Sequence, residues 1–298
     1  MKKNVLFFLL LSIGVNAQIN RFFYEYKYVP DINNKTDVKN EMMLLDVDAK
    51  GSSYYSYDKF VSDSAMAATI EKQIRSGGVL NFQGSRRKSG TVNDKVTKSY
   101  PDFKTYLFTQ ISFDKYKVKE DQKPEWKILS EKQKIGEYTA QKATTNYGGR
   151  EWIAWFSTEI PIQDGPYKFY GLPGLIVKVE DTTGTHIMTL AGNKKIKASS
   201  ETKKVKNDDV KITFGGLEEI EITEDKYRKL WKEYVKDPSK SSKNIMGNFG
   251  GNGENVIVKH IDDNGNEIDP NKAAREAEKR AKESLAKNNN PIEPDLVK

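Results

Sequence analysis

The sequence predicts an α+β fold: a large curved antiparallel β-sheet, one or two helices packed on it, and a loosely attached C-terminal helix. Three observations carry that prediction. Alternating apolar and polar runs, each closed by turn residues, recur through the first two thirds of the chain. Helical spacing is confined to three stretches, opening near Asp63, Thr223 and Asp269. Composition shifts after Pro238, where Ser, Asn and Gly dominate as far as Asn255. The expected organisation is one domain over 18–238, followed over 239–298 by a flexible stretch, a hairpin and a charged helix. No internal repeat is present.

Taken in order, Phe22, Tyr24, Tyr26 and Tyr28 alternate with Phe23, Glu25 and Lys27, which makes one strand face strongly apolar. Met42–Val47 leads through Asp48-Ala49-Lys50-Gly51 into Tyr54-Tyr55-Ser56-Tyr57, a hairpin pattern. A short helix should follow, capped by Asp63, with Met66, Ile70 and Ile74 on one stripe and Gly77-Gly78 as its stop. Further strands are expected at 91–99, 104–113, 126–129, 138–146 and 151–156. Trp152-Ile153-Ala154-Trp155-Phe156 is apolar on both faces and should be a central strand covered on both sides. Turn residues 181–184 join strands at 175–179 and 185–190, and Asp263-Asn264-Gly265 joins 256–261 to a short partner. Thr223, with Glu224 and Asp225 behind it, opens a helix whose Tyr227, Leu230, Trp231, Tyr234 and Val235 share a face. Such a stripe docks a helix onto a sheet. The last helix has Asp269 as cap and Pro270 in the first position, and runs to about Lys287. Its acid-before-base pairs support it, but its apolar stripe is only three alanines and Leu285.

The ends and the composition bound the function. Lys2 and Lys3 precede an apolar run from Val5 to Val15, and Val15-Asn16-Ala17 places small residues where a signal peptidase reads. That anatomy predicts an exported chain cleaved before Gln18, acting in the periplasm or outside the cell. The apolar run is about 11 residues, short of the roughly 20 a spanning helix needs, and no later stretch is apolar enough to span a bilayer. With no cysteine there is neither a disulfide framework nor a lipidated N-terminal Cys. The net charge of +7 is spread along the chain, and no basic–aromatic module stands out, so nucleic acid is not an expected partner.

Candidate chemistry is sparse. His186 and His260 lie far apart on separate hairpins, and no cysteine could complete a zinc site around them. Residues 262–267 mimic a calcium loop, but aligning Gly265 puts His260 and Asn271 where carboxylates are needed. Glu159 and Asp164, near Arg150, could do acid–base work, yet nothing sets the separation that paired carboxyls require. No nucleophile elbow, phosphate loop or dinucleotide fingerprint occurs. Neither a catalytic set nor a cofactor is expected.

The most distinctive string is Asp-Gly-Pro-Tyr-Lys-Phe-Tyr-Gly-Leu-Pro-Gly-Leu-Ile at 164–176. Leu172-Pro173-Gly174-Leu175 suits a type II turn, with Gly174 at positive φ and the leucines and Ile176 tucked into the core. The functional alternative makes Tyr167, Phe169 and Tyr170 an aromatic ligand surface. Gly171, Leu172, Pro173, Gly174, Leu175 and Ile176 spell the signature of the GLPGLI family of exported Bacteroidota proteins, which this chain resembles. Gly149-Arg150 with Trp152 and Ala154-Trp155-Phe156 resembles the strand leading into that signature, and Asn290-Pro291-Ile292-Glu293 resembles the family's ending. The resemblance implies a cell-envelope protein with an accessory role, possible partners being outer-membrane TonB-dependent receptors. It leaves three classes open: a non-enzymatic binding protein, a carrier of an apolar ligand built like the LolA-type curved sheet, and a hydrolase.

Overall fold

The computed structural model describes residues 18–75, 90–112, 114–197, 219–239, 260–261, 267–268 and 270–298. The expected export signal at 1–17, the Gly77-Gly78 stop and the Asn264-Gly265 turn lie outside the described residues.

Twelve strands form the main sheet: β1 (Gln18–Tyr28), β2 (Lys39–Val47), β3 (Gly51–Ser56), β4 (Lys95–Ser99), β5 (Lys104–Ile111), β6 (Asp114–Lys119), β7 (Lys127–Ile135), β8 (Tyr138–Tyr147), β9 (Arg150–Ser157), β10 (Leu175–Asp181), β11 (His186–Lys197) and β12 (Ile220–Thr223). Their order is β12-β6-β5-β4-β3-β2-β1-β11-β10-β9-β8-β7. Every adjacent pair is antiparallel except β12 on β6. Helix α1 (Tyr57–Arg75) follows β3, α2 (Glu224–Lys236) follows β12 directly, α3 (Pro270–Lys287) is near the end, and α4 (Pro294–Val297) closes the chain. A two-stranded hairpin, β13 (His260–Ile261) with β14 (Glu267–Ile268), precedes α3. No helix among the described residues is long and apolar enough to cross a membrane.

Register turns the alternation read in the sequence into one apolar face. Phe22, Leu45, Tyr54, Val96, Leu107 and Val118 line up across six strands, and Tyr26, Met188, Val179, Ala154 and Ala143 continue on the other side. All are buried in one cluster. The opposite face near β1 is covered by α1, where Phe23 meets Tyr57 edge-on and the Arg21 guanidinium sits 5.2 Å from the Phe60 ring. This helix starts six residues before Asp63, and Met66 stays 51% exposed. Strand β9 carries apolar groups on both faces as its sequence requires: Trp152 joins the main core, and Trp155 packs with Ala140 and Val177 outside.

The connection from β9 to β10, residues 158–174, lies inside the concavity of the sheet. Lys98 on β4 donates to Gly165 O at 2.7 Å, although β4 stands five positions from β10 in the strand order. Five spacings of about 4.8 Å would separate them on a flat sheet, so the sheet must curl around the loop. The inner face is closed by α2, capped by Thr223 and with Tyr227 buried against Tyr116. Val235, on the expected apolar stripe, is 47% exposed. The expectation of a loose C-terminus fits α3, an exposed helix with a Glu278–Lys282 pair. It does not fit the residues after α3, because Asn290, Glu293 and Leu296 return to the body and are buried.

Candidate functional site

The motif loop is held by charge placed in the interior. Lys98 points into the concavity, and its ammonium lies 2.5 Å from Asp164 Oδ1, both side chains fully enclosed. It also donates to the carbonyls of Gly165 (2.7 Å), Tyr167 (3.0 Å) and Phe169 (3.4 Å). Asp164 takes further bonds from the Tyr100 hydroxyl and from Gly165 N at 2.6 Å. Burial pulls the Lys98 ammonium below its ordinary value, and the Asp164 carboxylate opposes that pull. The pair acts as a clasp between β4 and the loop.

A second lysine, Lys168, is equally enclosed and pairs with Glu120 and, at 2.7 Å, with Glu293. Burial works against its charge, but Glu293 and Glu120 outweigh it and hold the ammonium at about 12. Burial and the carboxyl of Glu120 push Glu224, at the start of α2, up to about 8, although the Lys168 ammonium pulls the other way; Arg228 sits 2.9 Å from it. Glu120 is correspondingly lowered, so the proton these two share rests on Glu224. The Tyr167 hydroxyl donates to Glu293. Four segments therefore meet at one cluster: the end of β6, the motif loop, α2 and the C-terminal tail.

The motif residues settle into roles set by packing. Leu172, Leu175 and Ile176 are buried, as a rigid corner requires. The expected type II turn is corrected. Gly174 is not among the positive-φ residues; Gly171 is, at +92°. Gly174 is needed because a Cβ there would stand 2.2 Å from Ser157 O, too close for any side chain. Its N–H bonds back to Leu172 O at 2.8 Å. Tyr167, Phe169 and Tyr170 form no exposed surface. Phe169 is enclosed by Trp152, Tyr147 and Trp126, and Tyr170 stacks on Phe103 at 4.5 Å. Only Tyr167, held at φ +55°, faces a cavity.

That cavity, about 800 Å³, lies between the concave sheet, α2 and the C-terminal tail. Its walls carry Tyr26, Tyr54, Tyr227, Trp231 and Ile292, with Asn93, Gln110 and Asn288 at the exposed rim. Met43, Met188 and Val96 at its base are each 1% exposed, so it narrows sharply inward. His186 joins the wall, its Nδ1 bonded to the Tyr26 hydroxyl at 2.7 Å. Its Nε2 sits beside the Asn290 backbone without a hydrogen bond of ordinary geometry. Burial, reinforced by Arg150, lowers the imidazole to about 4, so it is neutral at pH 7.

The acid–base trio considered from the sequence does not assemble. Glu159 is exposed and accepts from Thr139 N at 2.9 Å, Asp164 belongs to Lys98, and Arg150 pairs with Asp181 at 3.0 Å. His186 lies in the main sheet and His260 in the small hairpin. Sequence reasoning missed Lys98, Lys168, Glu120, Glu224 and Glu293. Lys168 carried a local signal, a lysine flanked by aromatic residues on both sides, and Glu293 stood in the distinctive 290–293 string; the others carried none.

A family model described as a protein of unknown function (Porph_ging) matches residues 148–178, which contain the 171–176 signature. No curated protein matches the chain in sequence. Two solved structures of PNGF-II, in different crystal forms, are similar at 15% and 16% identity with TM-scores of 0.46 and 0.44. They cover 72% and 70% of this chain and 33% and 31% of their own, so the chain spans about a third of their length.

Proposed function

We propose that this chain is an exported, non-enzymatic binding protein of the cell envelope whose concave cavity takes an apolar, partly aromatic ligand. The observation that carries the reading is the cavity of about 800 Å³, lined by tyrosines, Trp231 and aliphatic groups with polar residues at the rim. Small-molecule sites have this size and chemistry. The non-enzymatic half is supported by Lys168, which occupies the space between Glu120 and Glu293, so those carboxylates hold an ammonium rather than face an open position. Export is supported by residues 1–17, and membership of the GLPGLI family by residues 171–176. On that resemblance, the accessory role to test is passing an apolar ligand to or from an outer-membrane TonB-dependent receptor. The mechanical picture is a carrier with a LolA-like curved sheet, which is a fold-level analogy.

The test uses N-phenyl-1-naphthylamine, an apolar dye whose fluorescence rises on transfer from water. Saturable enhancement is expected, and Val92→Trp, on the partly buried wall, should weaken binding by about tenfold, a difference of roughly 1.4 kcal/mol. No saturable signal, or equal binding by the variant, would sink the cavity reading. Intact-mass analysis of protein recovered from the native envelope should show Gln18 as the first residue; retention of residues 1–17 would sink export.

A further inference from the structure

The C-terminal tail is recognised as a bound peptide would be. Arg150 donates to the carbonyls of Pro291 (2.6 Å) and Ile292 (3.1 Å) and to Asn290 Oδ1 (2.6 Å), while its remaining nitrogen is fixed by Asp181. Asn290 donates from its backbone to Pro30 O and from its side chain to Val29 O. Asp295 N reaches Gly148 O at 3.3 Å. Gly148 and Gly149 leave the room the tail occupies, since a Cβ on either would stand 2.6 Å from Glu293 or Asp295. Glu293 adds its charge to Lys168 and Tyr167. The receptor groups come from segments more than a hundred residues away in sequence.

The same tail forms one wall of the cavity through Pro291, Ile292, Glu293 and Leu296. The cavity narrows to the buried Met43, Met188 and Val96 at its base, so a ligand that fills it to the base needs a wall to move. Helix α2 is anchored to the sheet through β12 and through Tyr227 in the core. The tail is held by the polar contacts of Asn290, Pro291 and Ile292 and by the enclosed Glu293–Lys168 pair, and it buries one apolar side chain fully, Leu296, with Ile292 partly covered. Segments of that kind open below the free energy of global unfolding.

We infer that Gly148–Arg150 and Lys168 form a peptide-binding site filled by the chain's own residues 290–296, and that release of this peptide admits ligand to the cavity. The gating half rests on the cavity reading above; the releasable tail does not. Hydrogen exchange on the full, unmodified chain tests the release. The amides of Asn290, Asp295 and Leu296 should exchange at least about 100-fold faster than those of Tyr24 and Tyr26 in β1, through opening short of global unfolding. Equal protection would overturn the inference. Gating is tested by a staple, which the absence of cysteine makes clean. Asp31 and Asn289 side chains touch at 2.7 Å, and Asp31→Cys with Asn289→Cys should lock the tail when oxidised. Dye entry should then slow by about tenfold or more and recover on reduction. Equal entry rates in both states would overturn gating, whatever the exchange shows. Dye bound by neither state nor by the parent would remove the cavity reading and gating together, while the exchange result still decides whether the tail is releasable.

Discussion

Lys98 and Lys168 place ammonium groups where apolar side chains would be expected, and each survives there because carboxylates and carbonyls surround it. Removing one partner of such a pair strands the other, so Lys98→Ala should cost about 3–5 kcal/mol in urea denaturation. Lys98→Met with Asp164→Leu removes the stranded charge but leaves the loop carbonyls, Gly165 N and the Tyr100 hydroxyl unpaired, and should recover only part of it. A double variant as damaged as the single would show that the unpaired loop groups, not the stranded charge, carry the cost. The two motif glycines separate backbone strain from crowding. Gly171 has positive φ and open space, so Gly171→Ala should cost about 1 kcal/mol. Gly174→Ala drives a Cβ into the Ser157 carbonyl and should cost distinctly more; equal melting temperatures for the two would contradict that geometry.

Two titrations oppose one another. His186 is lowered from 6.5 to about 4, so the unfolded chain binds its proton first and stability falls as pH drops from about 6.5 to about 4. Glu224 is raised from 4.5 to about 8, so the folded chain keeps a proton the unfolded chain releases, and stability falls as pH rises from about 4.5 to about 8. Denaturation midpoints of Glu224→Gln against the parent should diverge in the variant's favour toward pH 8 and converge near pH 4.5. A constant difference across that range would rule out a raised Glu224.

Among the elements, the strands were legible because alternation and turn residues are local signals. β6 was missed because Asp114, Lys115, Lys117 and Lys119 leave only Tyr116 and Val118 to mark a face. The strand expected from Thr91 begins at Lys95, since Glu41 captures Thr91 N and Val92 N at 2.7 and 3.0 Å and holds them off the sheet. The tail is the element whose composition misled most. Its polar residues suggested a loosely attached end, but Leu296 is buried against the core, and Leu296→Ala should cost about 2–4 kcal/mol. Unchanged stability in that variant would restore the loose tail.

For the whole molecule, the sequence by itself determined the α+β class, the antiparallel pairing, α2 with its cap, and a buried corner at 172–176. Each of these is written in spacings of a few residues. The tertiary structure alone decided that the motif loop fills the concavity, that Tyr167, Phe169 and Tyr170 are interior, that two lysines are enclosed, and that the tail forms a wall of a cavity. The physical reason is distance along the chain. A buried charge or a cavity wall exists only where groups from remote segments converge, as Lys98 does with Gly165 across 67 residues and Arg150 with Pro291 across 141. Periodicity carries no record of such meetings; the curl of the sheet makes them.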